Sequence, residues 1–158
     1  GEMHLAKPDV TSELQHVLDY FRAVFPQVLS DLDERLRYAW RQAGFDPYHL
    51  RSADALPKLR FGDWVGGDRD GHPLVTAETT RNTLALLRRT ALEGHLATLT
   101  GLYDDLSLTD LLQPAPDFLH AAIGETARLI GPAADDVIAR SPSEPWRQFI
   151  GLMMLRID

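Results

Sequence analysis

Apolar residues recur every three to four positions along most of this chain, which is the spacing of one face of an α-helix. Four stretches carry the pattern: Thr11 to Gly44, Thr76 to Leu102, Phe118 to Gly131, and Pro145 to Ile157. Pro26 interrupts the first stretch, where it either kinks one long helix or lies in the first turn of a second helix. Thr76 is typical of a helix cap, and Glu78 suits the positive end of the helix dipole. We therefore predict a mainly α-helical fold.

One short stretch, Leu59 to Val65, instead has the features of a β-strand. It carries aromatic residues and is bounded by Pro57 on one side and by Gly66 and Gly67 on the other. A single strand cannot make a sheet by itself, and an unpaired strand edge invites association. We expect a helical segment with one short strand that needs a partner.

Composition excludes several classes of protein. At 158 residues, one domain is the default. A net charge of −7 argues against a nucleic-acid surface, which usually needs a basic patch. No apolar run approaches the ~18 residues that span a bilayer, and nothing at the N-terminus resembles a secretory signal. We therefore expect no nucleic-acid or membrane partner. Because the chain has no cysteine, we also expect a cytoplasmic protein.

The loop at residues 66–71 holds the densest cluster of unusual residues. Asp68, Arg69 and Asp70 lie between glycines, which permit tight turns and close approach to the backbone. One interpretation is a charged turn in which Arg69 bridges the two carboxylates. The other is a pocket for an anionic ligand, with Arg69 as a planar cation and Trp64 as an apolar wall. The residues alone leave both interpretations open.

Familiar catalytic and metal-binding patterns do not fit this sequence. The loop is neither a Walker A loop nor a dinucleotide fingerprint, because no Gly-Lys-Ser/Thr follows and the glycine spacing is wrong. Aligned to a calcium loop, it places Gly66 and Ala77 at the first and twelfth positions, where acids are required. No histidine pair has the spacing of metal ligands, and no serine lies in a strained strand-to-helix turn. We predict neither a metal site nor a catalytic triad.

A long motif carries a more specific resemblance. It reads Arg60-Phe-Gly-Asp-Trp-Val-Gly-Gly-Asp-Arg-Asp-Gly-His-Pro-Leu-Val-Thr76. It resembles the motif Arg-Phe-x-Ser-Trp-Met-Gly-Gly-Asp-Arg-Asp-Gly-Asn-Pro-x-Val-Thr of the phosphoenolpyruvate carboxylase family. Three residues continue the match: Glu78, Thr80 and Arg81. The segment from Phe25 to Leu36 resembles the family's upstream helix, and Glu144-Pro-Trp-Arg147 resembles a downstream Glu-Pro-Tyr-Arg.

Three positions depart from the family motif. Asp63 stands where serine is usual, Val65 where methionine is usual, and His72 where asparagine is usual. The change at Asp63 bears on the packing beneath the loop. The change at His72 replaces an amide beside the charged turn and so bears on the hydrogen bonding there.

The resemblance implies what a longer parent protein would do. As a lyase that fixes carbon dioxide and feeds the tricarboxylic acid cycle, it would convert phosphoenolpyruvate and bicarbonate into oxaloacetate and phosphate, using magnesium or manganese. It would be a homotetramer built around an eight-stranded α/β barrel, to which Leu59–Val65 would contribute one strand. Trp64 and Arg69 would bind substrate, Trp64 around its methylene carbon. Five residues would shape the loop: Gly66, Gly67, Asp68, Asp70 and Gly71.

The sequence lacks other parts of the family's active site. It has no Thr-Ala-His-Pro-Thr segment with the catalytic histidine, no acidic metal ligands, and no arginine- and glycine-rich loop. We therefore expect residues 1–158 to be a single helical segment of a longer carboxylase, partnered by the rest of that chain. Alone it would be inactive, with no catalytic residue and no bound metal. The alternative is a stand-alone helical module that binds a small anionic metabolite or a protein partner without catalysis, and a third option is a purely structural role.

Overall fold

The computed structural model describes residues 9–68, residue 70 and residues 75–157. Within these residues the chain is mainly helical and contains no β-strand. The α-helices are α1 (Val10–Asp19), α2 (Phe25–Gln42), α3 (Ala77–Asp105), α4 (Asp117–Ile130), α5 (Ala133–Arg140) and α6 (Pro145–Ile157). The other helical elements are a π-helical turn (Tyr20–Val24) and two short 3-10 helices (Pro47–Leu50 and Ala53–Ala55). Over the described residues, no helix combines the length and apolar character needed to cross a bilayer.

The chain forms two compact units, and the boundary between them falls inside α3. The first unit ends at Thr90 and the second begins at Ala91. The first unit contains α1, α2, both 3-10 helices and the N-terminal part of α3. The second contains the C-terminal part of α3 together with α4, α5 and α6.

Helices α1 and α2 are joined without a break by the π-helical turn. In this turn the Phe25 N–H donates a hydrogen bond to the Tyr20 carbonyl, five residues earlier. Pro26 follows in the first turn of α2. A proline ring crowds the carbonyl four residues before it, and a widened turn at that point relieves the crowding. The predicted interruption at Pro26 is therefore a π-turn within one continuous helical segment.

The end of α2 agrees with the predicted stop at Gly44. Gly44 has a φ of 79°, a left-handed conformation that commonly ends a helix. After it, the Asp46 carboxylate accepts a hydrogen bond from the Tyr48 backbone N–H at 2.9 Å. The Trp40 indole N–H donates to the Asp46 carbonyl, also at 2.9 Å. The indole bond fastens the segment after α2 to the helix itself, and the Asp46 carboxylate caps the following 3-10 helix.

The predicted strand from Leu59 to Val65 is absent from the described chain, where residues 57–64 are irregular. A strand exists through hydrogen bonds to a neighbouring strand, and no described segment supplies one. Aromatic packing holds the segment instead. The Phe61 ring stacks on Phe25, with ring centroids 4.2 Å apart, and meets Phe21 edge-on at 6.0 Å. The segment is thereby attached to the π-helical turn and to the start of α2.

Helix α3 begins at the predicted place. The Thr76 hydroxyl accepts a hydrogen bond from the Thr79 backbone N–H at 3.2 Å, which is the bond of a helix cap. Within the first unit, the Arg22 guanidinium donates to the hydroxyl of buried Thr90 at 3.3 Å. This bond ties the π-helical turn to α3.

The second unit has a compact apolar core. Its buried members come from three helices: Leu119, Ile123, Ala134 and Leu152. Helix α4 ends at Gly131, which has a φ of 82°, as the predicted stop at this glycine requires. A Cβ atom on Gly151 would lie only 2.7 Å from Val137, so glycine at this position allows α5 and α6 to pack closely.

Candidate functional site: the loop beside Trp64

Backbone hydrogen bonds close the described part of the loop into a tight turn. The Trp64 carbonyl accepts hydrogen bonds from the backbone N–H groups of Gly67 at 2.9 Å and Asp68 at 3.1 Å. One residue earlier, the Asp63 carboxylate accepts from the Val65 N–H at 3.0 Å. A serine hydroxyl makes the same local bond more weakly, which gives the departure at Asp63 a structural account.

Gly66 is the residue on which this turn depends most. It is buried, with a φ of 72°, and its carbonyl accepts a hydrogen bond from the Thr80 hydroxyl of α3 at 2.7 Å. A Cβ atom here would lie 3.0 Å from the Cβ of Thr83 and would collide with the Thr83 hydroxyl. At Gly67 the corresponding atom would make only an ordinary contact with a backbone oxygen. Close packing on α3 therefore demands glycine at position 66.

The charged part of the loop is only partly described. The Asp68 carboxylate accepts a hydrogen bond from the Asp70 backbone N–H at 3.0 Å, and both side chains are exposed. Arg69, Gly71 and His72 lie outside the described residues. The bridging of the carboxylates by Arg69, and its alternative role in binding an anion, therefore both stay predictions.

Trp64 borders two pockets and is 78% exposed. The larger, of about 530 Å³, has mainly aromatic walls with two acids and one imidazole: Phe21, Phe25, Phe61, Trp64, Glu13, Asp63 and His16 are among its lining residues. The smaller, of about 180 Å³, combines valines with three carboxylates: Val65, Val75, Glu13, Asp68 and Asp70 are among its lining residues. The indole thus offers a free apolar face at the edge of both.

Charge restricts what the smaller pocket can bind. All of its charged lining residues within the described chain are carboxylates, which repel an anion. An anionic ligand at this place would therefore need a cation from outside the described lining, and Arg69 is the residue that the sequence predicts for this role. Among the described residues, no three His, Asp or Glu side chains come together in a way that could hold a metal ion.

The second motif, Glu144 to Arg147, has a structural role in the second unit. The Arg147 guanidinium donates to the Tyr103 carbonyl at 2.8 Å, forms an ion pair with Glu144 at 3.1 Å, and lies over the Tyr103 ring. It also donates to the Asp104 carbonyl at 3.4 Å. Carbonyls at the end of a helix lack partners within it and carry partial negative charge. Arg147 therefore caps the end of α3 and fixes the start of α6.

The residues that support the loop could not be assigned this role from the sequence, although Thr80 belongs to the family match. Thr80 and Thr83 lie three positions apart and so share the face of α3 that contacts Gly66. Phe21 and Phe25 are four positions apart, and both meet Phe61. The helical spacing within each pair could be seen in the sequence. The residue that each pair contacts, Gly66 or Phe61, could not.

Comparison with known proteins agrees with the resemblance of the motif. The family model described as phosphoenolpyruvate carboxylase matches residues 1–158. The phosphoenolpyruvate carboxylase of Methylorubrum extorquens is 30% identical over 100% of this chain, and that of Roseiflexus castenholzii is 32% identical over 93%. The chain covers 17% and 15% of the lengths of these two relatives. No solved structure matches it. The chain belongs to the phosphoenolpyruvate carboxylase family.

Proposed function

We propose that this chain is a segment of a cytoplasmic phosphoenolpyruvate carboxylase. The parent enzyme joins phosphoenolpyruvate to bicarbonate and releases oxaloacetate and phosphate, as a homotetramer built around an eight-stranded α/β barrel. The observation that carries this proposal is the family match along all 158 residues, which includes the loop motif beside Trp64.

Within that enzyme, we assign this segment one wall of the substrate site. The exposed indole of Trp64 provides an apolar surface against the methylene carbon of phosphoenolpyruvate and excludes water from it. Arg69 provides the cation for the substrate's phosphate or carboxylate. The turn closed by Gly67 and Asp68 and packed through Gly66 directly follows Trp64, and Arg69 is the next residue in the sequence.

The catalytic groups belong to the remainder of the parent. Magnesium or manganese would polarise the reacting oxygens, but the described residues bring no three ligating side chains together, so no part of the reaction is assigned to a metal held by them. The family's catalytic histidine segment is also missing from residues 1–158. We therefore expect the 158-residue chain to be inactive by itself.

Activity assays test the proposal directly. Oxaloacetate formation, followed by coupled reduction, is measured for the 158-residue chain and for the full-length protein that carries this segment. We expect turnover that requires phosphoenolpyruvate and bicarbonate in the full-length protein only. Turnover by the short chain would contradict its assigned role, and an inactive, folded full-length protein would contradict the proposed reaction.

The role of Trp64 is tested in the full-length protein by Trp64→Ala. If the indole covers about 60 Å² of apolar substrate surface at ~25 cal/mol per Å², its loss costs about 1.5 kcal/mol, or roughly tenfold in kcat/KM. Phe118→Ala is the matched control, because Phe118 is also an exposed aromatic residue, at 68%, and lies outside the loop. Equal kinetic effects of the two substitutions would refute the assignment of Trp64.

One observation supports the alternative of a binding module without catalysis. Trp64 remains 78% exposed at the edge of two pockets, as a surface for a ligand or a protein would be. Under this alternative, the short chain binds phosphoenolpyruvate saturably and loses binding in Arg69→Ala, while the full-length protein has no carboxylase activity. Absence of saturable binding by the short chain would exclude a metabolite-binding module.

A further inference from the structure

A third pocket, of about 230 Å³, lies at the C-terminal end of α2. It shares no lining residue with the pockets beside Trp64. Its lining combines three arginines with apolar groups: Arg37, Arg41, Arg51, Trp40, Pro47 and Leu50. All three charged groups are positive, although the chain as a whole has a net charge of −7. The pocket therefore has a local charge opposite in sign to that of the whole chain.

Local structure brings these three arginines together. Arg37 and Arg41 are one turn apart on α2, so they lie on the same face of the helix. The left-handed residue Gly44 then ends the helix, and the bond from the Trp40 indole to the Asp46 carbonyl fastens the following segment to it. Arg51 follows directly after the 3-10 helix and completes the pocket.

The guanidinium groups have no carboxylate partner in the described chain. Arg37, Arg41 and Arg51 form no ion pair with any described residue. Arg41 uses only its Nε, which donates to the Arg37 carbonyl at 3.4 Å, and Arg51 lies over the Tyr48 ring, 5.5 Å from its centroid. Most of their N–H donors are therefore available to a ligand.

The nearby acids do not neutralise this cluster. Asp33 and Glu34 lie about one turn before Arg37 on α2, yet neither forms an ion pair with a described residue. The Asp46 carboxylate accepts the Tyr48 backbone N–H. Three like charges around one pocket repel one another. An anion bound between the three guanidinium groups would attract each of them and so offset this repulsion.

We propose that this pocket binds a phosphate group, either as free orthophosphate or as a small phosphomonoester. Planar guanidinium groups bind phosphate oxygens through paired hydrogen bonds, which favours a phosphate over a monovalent anion such as chloride. The volume of about 230 Å³ is below the ~300–1,000 Å³ of pockets for drug-sized ligands, so a phosphate with a few further atoms fits better than a nucleotide. The inference does not depend on the proposed carboxylase activity.

Isothermal titration of the 158-residue chain with orthophosphate and with glycerol 3-phosphate tests the inference. Ionic strength is held constant with sodium chloride, because screening alters every charge interaction. We expect saturable binding of at least one of the two, and the tighter ligand identifies the source of the phosphate group. Absence of saturable binding for both, or equal binding of sodium sulfate and phosphate, would overturn the proposal.

Paired substitutions locate the site. Arg37→Gln with Arg41→Gln should weaken phosphate binding at least tenfold, because hydrogen bonds to charged groups are among the stronger ones. The control, Arg35→Gln with Arg128→Gln, makes the same change in net charge with exposed arginines that do not line the pocket. Equal weakening by the two double variants would show a general charge effect and refute the site.

A third variant tests the site even if the double substitution of Arg37 and Arg41 unfolds helix α2. Arg51→Gln lies outside α2, and it should also weaken phosphate binding while leaving the far-UV circular dichroism spectrum unchanged. Unchanged affinity in folded Arg51→Gln would contradict the three-arginine pocket.

Discussion

Gly66→Ala is the sharpest test of how the loop beside Trp64 is held. Gly66 combines two demands that a methyl group violates. Its φ of 72° is in the left-handed region, which costs a residue with a Cβ atom about 1–2 kcal/mol. The added Cβ would also press against the side chain of Thr83 in α3, where overpacking typically costs ~1–3 kcal/mol. We therefore expect a total loss of about 2–5 kcal/mol of unfolding free energy.

Gly44→Ala is the matched control for this substitution. Gly44 has a similar φ of 79°, but a Cβ atom there would meet nothing within 4 Å. It should therefore cost only the backbone part, about 1–2 kcal/mol. The difference between the two variants measures the contact with Thr83, which we expect to be about 1–3 kcal/mol.

Urea unfolding of the 158-residue chain provides the measurement. With a slope of about 2 kcal/mol per molar, the expected loss lowers the midpoint of Gly66→Ala by about 1–2.5 M. Far-UV circular dichroism and tryptophan fluorescence are recorded together, because agreement between them supports a two-state analysis of a chain with two units.

A double-mutant cycle with Thr83→Ala decides whether the contact is the cause. This change removes the Thr83 hydroxyl and methyl, which are two of the three atoms nearest to the added Cβ. Gly66→Ala should then cost about 1 kcal/mol or more less in the Thr83→Ala background than in the original chain. An equal cost in both backgrounds, or a cost no larger than that of Gly44→Ala, would refute the reasoning.

Three other substitutions test separate parts of the fold. Leu152→Ala empties a fully buried position in the second unit and should cost about 2–5 kcal/mol in urea unfolding; a loss below about 1 kcal/mol would contradict its place in the core. Gly124→Ala, at an exposed position in α4 with open space around it, should add about 0.5–1 kcal/mol, and a lowered thermal midpoint would contradict this. The hydrogen bond from the Ser12 backbone N–H lowers the pKa of the Asp9 carboxyl from its usual 3.8, so the cap stabilises α1 above that pH and loses its effect as the pH falls through the lowered pKa. The advantage of the original chain over Asp9→Asn in thermal midpoint should therefore disappear in acid; a difference independent of pH would contradict the cap.

The helices could be predicted because their determinants are local. The caps and stops at Thr76, Gly44 and Gly131 all lie where the sequence indicated them. The interruption at Pro26 was also visible, because the lack of an N–H and the bulk of the ring act within one turn. The form of that interruption depends on how the preceding turn relaxes. The sequence left open whether Pro26 kinks one long helix or lies in the first turn of a second helix, and it did not indicate a π-turn.

The strand prediction failed because a strand requires a partner as well as a suitable composition. The aromatic residues of the segment 59–65 are typical of strands, but Phe61 found its contacts on Phe21 and Phe25 instead. The support of Gly66 by Thr80 and Thr83 joins residues 14 and 17 positions apart, and no local pattern reports such contacts. The same limit applies to the three arginines, since the path of the chain after Gly44 brings Arg51 to α2.

The π-turn at Tyr20–Val24 has a consequence for comparing this chain with its relatives. Such a turn closes over five residues instead of four, so it accommodates one extra residue while leaving the helix on either side in phase. A relative that lacks this residue can keep a regular α-helix and still present the same faces of α1 and α2. Length differences of a single residue in this region should therefore be aligned within Tyr20–Val24, before Pro26, and not in the loop that follows Gly44.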